Sequence, residues 1–431
     1  MAMEKEADVV IIGGGIAGSA IAYYLAKRNS KVIVVEKGNV ADEQSGRAWG
    51  FVRQQGRSPR ELPLMMECNK MWQTLSEELH ADIEWVQGGN LAVAPNEKRM
   101  QQLEEWAEVG QEFGLDTRLL SSQEIKDFIP EMDGSWIGGM YTASDGHAEP
   151  RKATDALAQA AQESGATFLN YCATEEIEVT SGQVTGVVTE KGTIKTSVVV
   201  CAAGAWSPKV ARMVDLSLPY RVVRATVAET TPTDPITKVG FWAPGIAFRQ
   251  RPGGSFYVAP AARSDYDVNL DTFRDIRIFL PNFLKNRHLF KIHVGKELMK
   301  DLLRSLPGSP ARRHPFAHTV GVEPEPNREA VALAMKKFRR LFPSLESIGI
   351  QRLWAGRIDA TADAIPVLGE VEYPRGFIFA TGFSGHGFAM GPITGRLISE
   401  LILDGKTSID IRPLRHSRFR EGDLDRPKAV L

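Results

Sequence analysis

Cysteine is scarce: Cys68, Cys172 and Cys201 are the only three in 431 residues, and none forms a C-x-x-C spacing. That pattern excludes a disulfide framework and a thiolate metal cage, and it predicts reduced thiols, with Cys172 and Cys201 in apolar, strand-like contexts. The eight histidines show no H-E-x-x-H or paired-ligand spacing, so no metal centre is expected. An excess of one charge is also lacking. Lys plus Arg number 52 against 53 Asp plus Glu, a net charge of −1, which gives no electrostatic footprint for nucleic acid. The opening Met-Ala-Met-Glu-Lys-Glu lacks the basic region and apolar core of a secretory signal. The apolar stretch 9–26 is broken by a glycine cluster, so strand, turn and helix explain it better than a membrane span. No repeat or low-complexity tract occurs. The expected setting is the cytoplasm, without a membrane partner.

What is present begins at Val9. The run Val9-Val10-Ile11-Ile12 ends in a Gly-x-Gly-x-x-Gly turn, and 19–27 then has helical character. A second apolar run, Val32 to Val35, ends in Glu36. Strand, tight turn, helix, strand and acid make a dinucleotide-binding βαβ unit. Gly13 makes the turn, Gly15 lets the backbone approach a pyrophosphate, and Gly18 lets helix pack on strand. The helix start offers N–H groups and partial positive charge to phosphates. Glu36 can accept hydrogen bonds from a ribose diol.

Further along, Ala153 to Glu163 has helical spacing and Gly165 to Tyr171 reads as a strand. Thr174 to Val179, Gln183 to Glu190 and Thr193 to Lys195 read as a β-meander. Val198 to Trp206 is a buried strand running into Gly204. Gly376 to Ala380 is a strand, the turn Thr381 to Gly387 follows, and Phe388 to Leu403 is a helix stopped by Asp404-Gly405. These separated strand-to-glycine endings predict a discontinuous α/β domain of doubly wound, Rossmann-like type from 1–55, 150–215 and 350–431. The intervening 56–149 and 216–349 predict a second domain with an antiparallel sheet (Val222 to Glu229, Gly245 to Arg249, Ser255 to Ala259) and a helical insert at 270–317. The basic tail Arg412 to Arg420 reads as a solvated surface helix or an ordered extension.

Over essentially its whole length the chain resembles the D-amino-acid-oxidase-like flavoprotein superfamily. The carriers are the opening fingerprint with Glu36, Ser45-Gly-Arg-Ala-Trp-Gly50, Asp145-Gly146 with Pro150, Val199 to Trp206, Trp354-Ala-Gly356, Asp363 with Pro366 and Gly369, and Thr381 to Phe388. The resemblance implies FAD, with the isoalloxazine at the domain interface and C–N oxidation by hydride transfer to flavin N5. D-amino-acid and glycine oxidases place a carboxylate-binding Arg where this chain has Ile358; Arg357, one residue earlier, should point elsewhere on a strand. Phe248 to Pro260 instead looks like the bacterial L-amino-acid deaminases, whose Arg matching Arg249 grips the substrate carboxylate. The segment from Phe279 to Leu298 resembles their helical insert. The nearest rival is the branch oxidising sarcosine and dimethylglycine. D-amino-acid oxidation and a non-catalytic FAD-binding regulatory subunit also stay open.

For FAD, the resemblance and the residues together point to Gly13, Gly14, Gly15, Ile16, Ala17 and Gly18 at the pyrophosphate. Glu36 and Lys37 fall at the adenosine end. Ser45, Gly46, Arg47 and Ala48 should wrap pyrophosphate and flavin, Thr174 should meet adenine, and Ala203, Gly204 and Gly356 should let backbone near the cofactor. In the turn Gly382, Ser384, Gly385, His386, Gly387 and Phe388, helix-start N–H groups can face flavin O2 and N1. His386 serves either flavin contact or packing. No attachment residue stands at Gly356 or within 45–50, so the flavin is expected to be non-covalent.

For the substrate, an amino acid needs a fixed cation, and Arg provides one bidentately. Arg249 is the first choice and Arg251, two residues on, the competitor. Gln54, Gln55, Arg53 and Arg57 are candidate polar contacts, and Trp354 and Phe383 candidate walls. The expected reaction converts an L-amino acid to a 2-oxo acid and ammonia, with O2 (giving hydrogen peroxide) or a quinone as acceptor. Phe241, Trp242, Phe248 and Trp354 as walls predict a preference for large apolar or aromatic side chains. The apolar and basic insert suits a lid or a homodimer contact better than a membrane face.

Overall fold

The computed structural model describes residues 5–261, 264–287, 290–306, 309, 316 and 319–425. Val9–Ile12 is a strand buried at every position. It lies parallel to Val32–Val35 on one side and Val199–Cys201 on the other. Unbroken β-branched runs are what a sheet covered on both faces selects. This six-stranded sheet runs Val367–Glu370, Phe377–Thr381, Val199–Cys201, Val9–Ile12, Val32–Val35, Thr167–Leu169. Only its edge strand Val367–Glu370 is antiparallel. Start, middle and end of the chain therefore share one sheet.

On one face the helix Ile16–Ala26 packs against Gly387–Asp404 and Pro150–Glu163. Glycine makes the approach close. A Cβ at Gly391 would fall 2.4 Å from Ile16 Cγ1, and one at Gly395 would fall 2.6 Å from the Ala20 backbone. The meander Thr174–Thr180, Gln183–Thr189, Gly192–Lys195 forms its own antiparallel sheet.

A ten-stranded sheet makes the other half. Its long members Tyr220–Thr230 and Ile350–Thr361 pair antiparallel from Tyr220↔Thr361 to Thr230↔Ile350. The sheet has two distinct faces. Phe241, Phe248 and Phe256 pack beneath the helix Arg328–Leu341 with Phe338 and Phe342. Phe241 and Phe248 are therefore not pocket walls, as the sequence suggested: they stack at 4.5 Å inside a core. Strand alternation sends Arg249, next to Phe248, to the opposite face, with Tyr257 and Trp354.

In the expected insert, helices Ile276–Asn286 and Lys296–Ser305 flank the strand Phe290–His293. Ile276, Leu280, Leu284, Met299 and Leu303 are exposed there. Leu289 and residues 307–308, 310–315 and 317 of that segment lie outside the described residues. No described helix is long and apolar enough to cross a membrane. The C-terminal tail is the ordered extension of the two readings: Arg418 is fully buried.

Candidate active site

A cleft opens at the C-terminal ends of Val9–Ile12, Val32–Val35 and Val199–Cys201. Open α/β sheets bind nucleotides at this edge. Of the residues singled out from sequence, Gly13, Gly15, Glu36, Lys37, Ser45, Thr174, Ala203 and Gly204 line it. The glycines are sterically required. Gly13 has φ +112°, and a Cβ there would meet the Ala202 carbonyl oxygen at 2.5 Å. A Cβ at Gly18 would fall 1.9 Å from the Gly13 carbonyl oxygen. Gly15 stands at the N-cap of the helix, on the wall of the cleft.

Glu36 accepts N–H bonds from Gly14 (2.8 Å) and Gly38 (2.7 Å). Burial pushes its carboxyl up, and those two bonds hold it down. Three buried polar atoms on the cleft wall have no hydrogen-bond partner among the described residues: Gln44 Oε1, Thr174 Oγ1 and Trp206 Nε1. A glycine-walled cleft with unmet donors and acceptors fits a nucleotide. The sequence reading gave no role to Gln44, which precedes the motif Ser45–Gly50, or to Trp206, the last residue of the motif Val199–Trp206. Arg357, expected from sequence to point away from the position of Ile358, lines this cleft. Its guanidinium stands 5.2 Å from the Trp206 ring, with Lys37 Nζ at 5.0 Å from the same ring.

Other expected cofactor residues take supporting places. Ile16 donates its N–H to Ser45 Oγ at 2.9 Å, and Ala17 is buried in the same helix start. A Cβ at Gly46 would fall 2.1 Å from the Ala41 carbonyl oxygen, and one at Gly356 would fall 2.1 Å from Gln44 Oε1. Arg47 does not line the cleft. It donates to the carbonyls of Asp42 (2.9 Å) and Ala355 (3.3 Å) and pairs with Glu323, tying its helix to the second sheet. Ala48 follows in extended conformation, ψ 162°.

In the C-terminal turn, Gly382 (φ +71°) donates to Asp359 Oδ2 at 2.7 Å, and Ser384 Oγ accepts from the Thr361 N–H at 3.1 Å. Burial pushes the Asp359 carboxyl up to about 6. Gly385 also has positive φ, and Gly387 opens the helix Gly387–Asp404. His386 Nδ1 lies 3.0 Å from Glu61 Oε1. Burial pushes the His386 ring down; burial pushes the Glu61 carboxyl up, and His386 and Arg57 outweigh it. Phe388 turns into the core, 4.9 Å from Trp72. The residues Asp359 and Glu61 carried no role in the sequence reading.

Across the segment 49–55 lies the second sheet. Arg249 is fully buried. Its Nε donates to the Trp49 carbonyl at 2.5 Å, its Nη2 to Glu149 at 3.3 Å, and its guanidinium covers Tyr257 at 4.5 Å. Its Nη1 has no acceptor among the described residues. Burial pulls the guanidinium down, against the pull of Glu149. Arg251 is spent on Glu84, Glu149 and Glu229, at 2.7–3.0 Å. Trp354 Nε1 donates to the Arg47 carbonyl at 3.1 Å, and its ring meets Tyr257 edge-on. Gln54 is turned away to Ser144 and Asp145. Gln55 is engaged with Asn90, Met140 and Thr142.

Known proteins agree with this architecture. The family described as FAD dependent oxidoreductase matches residues 8–401, and the chain belongs to that family. FAD is accordingly its cofactor, and the protein is an oxidoreductase. The chain is 25% identical to glycine oxidase of Geobacillus kaustophilus (strain HTA426) over 96% of its own length and 98% of that protein's. It is also 25% identical to human mitochondrial sarcosine dehydrogenase over 99% of its length, where it spans 43% of the relative. The crystallised L-amino acid deaminase of Proteus myxofaciens, in complex with anthranilate, superposes with a TM-score of 0.88 at 28% identity, covering 97% of this chain and 95% of that one.

Proposed function

We propose that the protein oxidatively deaminates L-α-amino acids, and that Arg249 anchors the substrate carboxylate. The observation carrying this reading is the sealed Nη1 of Arg249, a buried cationic donor with no acceptor, on the sheet face that meets the flavin-facing segment. A buried guanidinium left short of an acceptor is costly, and a carboxylate meets it. The likeness to a solved L-amino acid deaminase supports the same reading.

In this reading 1–55, 150–215 and 350–431 hold FAD, and 56–149 and 216–349 hold the substrate. Glu36 takes the ribose diol, and Gly13, Gly15 and Ser45 take the pyrophosphate. Non-covalently bound FAD would supply the hydride acceptor for the substrate Cα. The amine loses a proton as the C=N bond forms, and water converts the imine to a 2-oxo acid and ammonia. The chain's own work is orientation: Arg249, held by Trp49 and Glu149, fixes one end of the substrate, and Trp354 and Tyr257 wall it. Dioxygen, giving hydrogen peroxide, or a quinone would supply the final electron acceptor.

The test is anaerobic flavin bleaching by paired enantiomers of glutamate, leucine and phenylalanine, with sarcosine alongside. L-enantiomers should bleach the flavin. Bleaching by D-enantiomers or by sarcosine, with L-enantiomers inert, rejects the reading.

A further inference from the structure

Arg249 is not the only buried guanidinium short of a partner on this face. Arg53 is 7% exposed and stacks on Trp242, its guanidinium carbon 4.2 Å from the ring centroid. Among the described residues its guanidinium has no hydrogen-bond acceptor and no ion-pair partner. Arg57, 4% exposed, lies beside it, donates Nε to the Arg53 carbonyl at 3.1 Å and leaves its buried Nη1 without an acceptor. Arg99 adds positive charge from the neighbouring helix Glu97–Glu112.

Two carboxylates are near, and both are committed elsewhere. Asp145 accepts from Gln54 (2.7 Å and 3.1 Å) and Gln55 (3.3 Å). Glu61 is held by His386. Burial, with Arg57 and Arg99 alongside, pushes the Arg53 guanidinium down to about 9 against the pull of Asp145 and Glu61.

Arg53 and Arg249 are separate positions. Arg53 lies over Trp242, whereas Arg249 lies over Tyr257 and is held by Glu149 and the Trp49 carbonyl. The Trp49–Trp242 pair, with rings 5.7 Å apart, stands between: the Trp49 carbonyl holds Arg249, and the Trp242 ring carries Arg53. An apolar amino acid satisfies one such cation and strands the other.

We propose that the substrate carries two anionic groups: a dicarboxylic amino acid whose α-carboxylate meets Arg249 and whose second carboxylate meets Arg53. This inference rests on the amino-acid reading above and replaces the large apolar side chain expected from sequence. Of the aromatic residues behind that expectation, Phe241 and Phe248 lie in the core, and Trp242 is a platform for Arg53.

The experiment uses the flavin-loaded enzyme under anaerobic conditions. L-glutamate, L-aspartate and L-2-aminoadipate are compared with L-leucine and L-phenylalanine, and glutarate with butyrate as unreactive ligands that shift the flavin spectrum. At least one dicarboxylic amino acid should exceed the monocarboxylic ones by about 100-fold in flavin-reduction efficiency, the scale of one desolvated charge partner. Glutarate should perturb the spectrum at concentrations where butyrate does not. Arg53→Met should abolish the glutarate shift, and Arg53→Lys, which keeps the charge, should restore part of it. Equal rates for leucine and glutamate, or equal losses for both in Arg53→Met, overturn the proposal. Rapid L-leucine oxidation without a glutarate response rejects this inference and leaves the amino-acid reading standing. A glutarate response with every L-amino acid inert rejects that reading and retains the second anion position.

Discussion

Arg418 and Asp363 form a two-point ion pair sealed from solvent. Nε meets Oδ2 at 2.8 Å and Nη2 meets Oδ1 at 3.0 Å, with both side chains at 0% exposure. Arg418 also donates to the carbonyls of Leu414 and Ile365. The pair pins the C-terminal tail to the connection between Ile350–Thr361 and Val367–Glu370, beside Asp359. Arg418→Ala leaves a buried carboxylate unpaired and should cost roughly 3–5 kcal/mol of stability. Arg418→Met with Asp363→Leu should recover most of that, because neither charge then remains buried. Urea unfolding of the three variants is the measurement. A loss in the double variant as large as in Arg418→Ala rejects the account.

Two glycines of the same turn should fail differently. A Cβ at Gly18 would collide with the Gly13 carbonyl oxygen at 1.9 Å, so Gly18→Ala should prevent correct folding. A side chain at Gly15 would meet Ser45 Oγ at 2.8 Å, a flexible hydroxyl facing the cleft. Gly15→Val should therefore yield a folded, colourless protein, because the branched side chain fills the pyrophosphate space. Circular dichroism reports the fold, and flavin released by acid reports the cofactor. Flavin content near wild type in Gly15→Val contradicts the assignment.

The βαβ unit was legible because its strands are continuous β-branched runs and its glycines carry an obligatory steric role. The strands Val199–Cys201 and Phe377–Thr381 were legible for the same reason, although only the fold shows them as neighbours of Val9–Ile12 in one sheet. The site was less legible where a role depends on which way a strand residue faces. Phe248 and Arg249 are adjacent in sequence, yet one enters a core and the other meets Trp49 on the opposite face. Arg251 shares the face of Arg249, as period two requires, but its three carboxylates come from distant chain positions that no local pattern reveals. Arg53 carries no motif at all; its want of a partner is visible only after folding.

His147 sets an acid limit. It is fully buried next to Arg249, its Nε2 faces the Lys238 carbonyl at 3.2 Å, and its Nδ1 has no partner among the described residues. Burial, then Arg249, pushes its pKa from 6.5 down to about 3. The unfolded chain thus binds a proton that the fold refuses. This contribution to stability is present above about pH 6.5 and is lost as pH falls toward about 3. Asp145 and Asp359, both raised to about 6 by burial, act with the opposite sign, so the variant and not the bare pH curve is the test. His147→Asn should lose less stability than wild type between pH 7.5 and 4.5 in urea titrations. Identical losses reject the assignment.

Arg249 and Arg251 give the sharpest separation between binding and stability. Arg249 has a donor to spare and no exposure; Arg251 has none unspent, and Glu149 and Glu84 hold its guanidinium above its usual range despite the opposing effect of burial. Arg249→Ala should lower kcat/KM by a factor corresponding to about 2–5 kcal/mol, with the flavin spectrum intact, since the substrate loses its desolvated charge partner. Glu149 keeps Arg251 at 3.0 Å in that variant, so the fold retains a counter-charge there. Arg251→Ala instead removes the shared cation of Glu84 and Glu229, leaving them to Lys152 and Arg352, and should lower the melting temperature while leaving KM close to wild type. Stopped-flow flavin reduction and thermal unfolding on both variants decide it. A near-wild-type KM in Arg249→Ala together with a crippled one in Arg251→Ala exchanges the two roles and places the carboxylate among the Glu84, Glu149 and Glu229 contacts, where like charge opposes it.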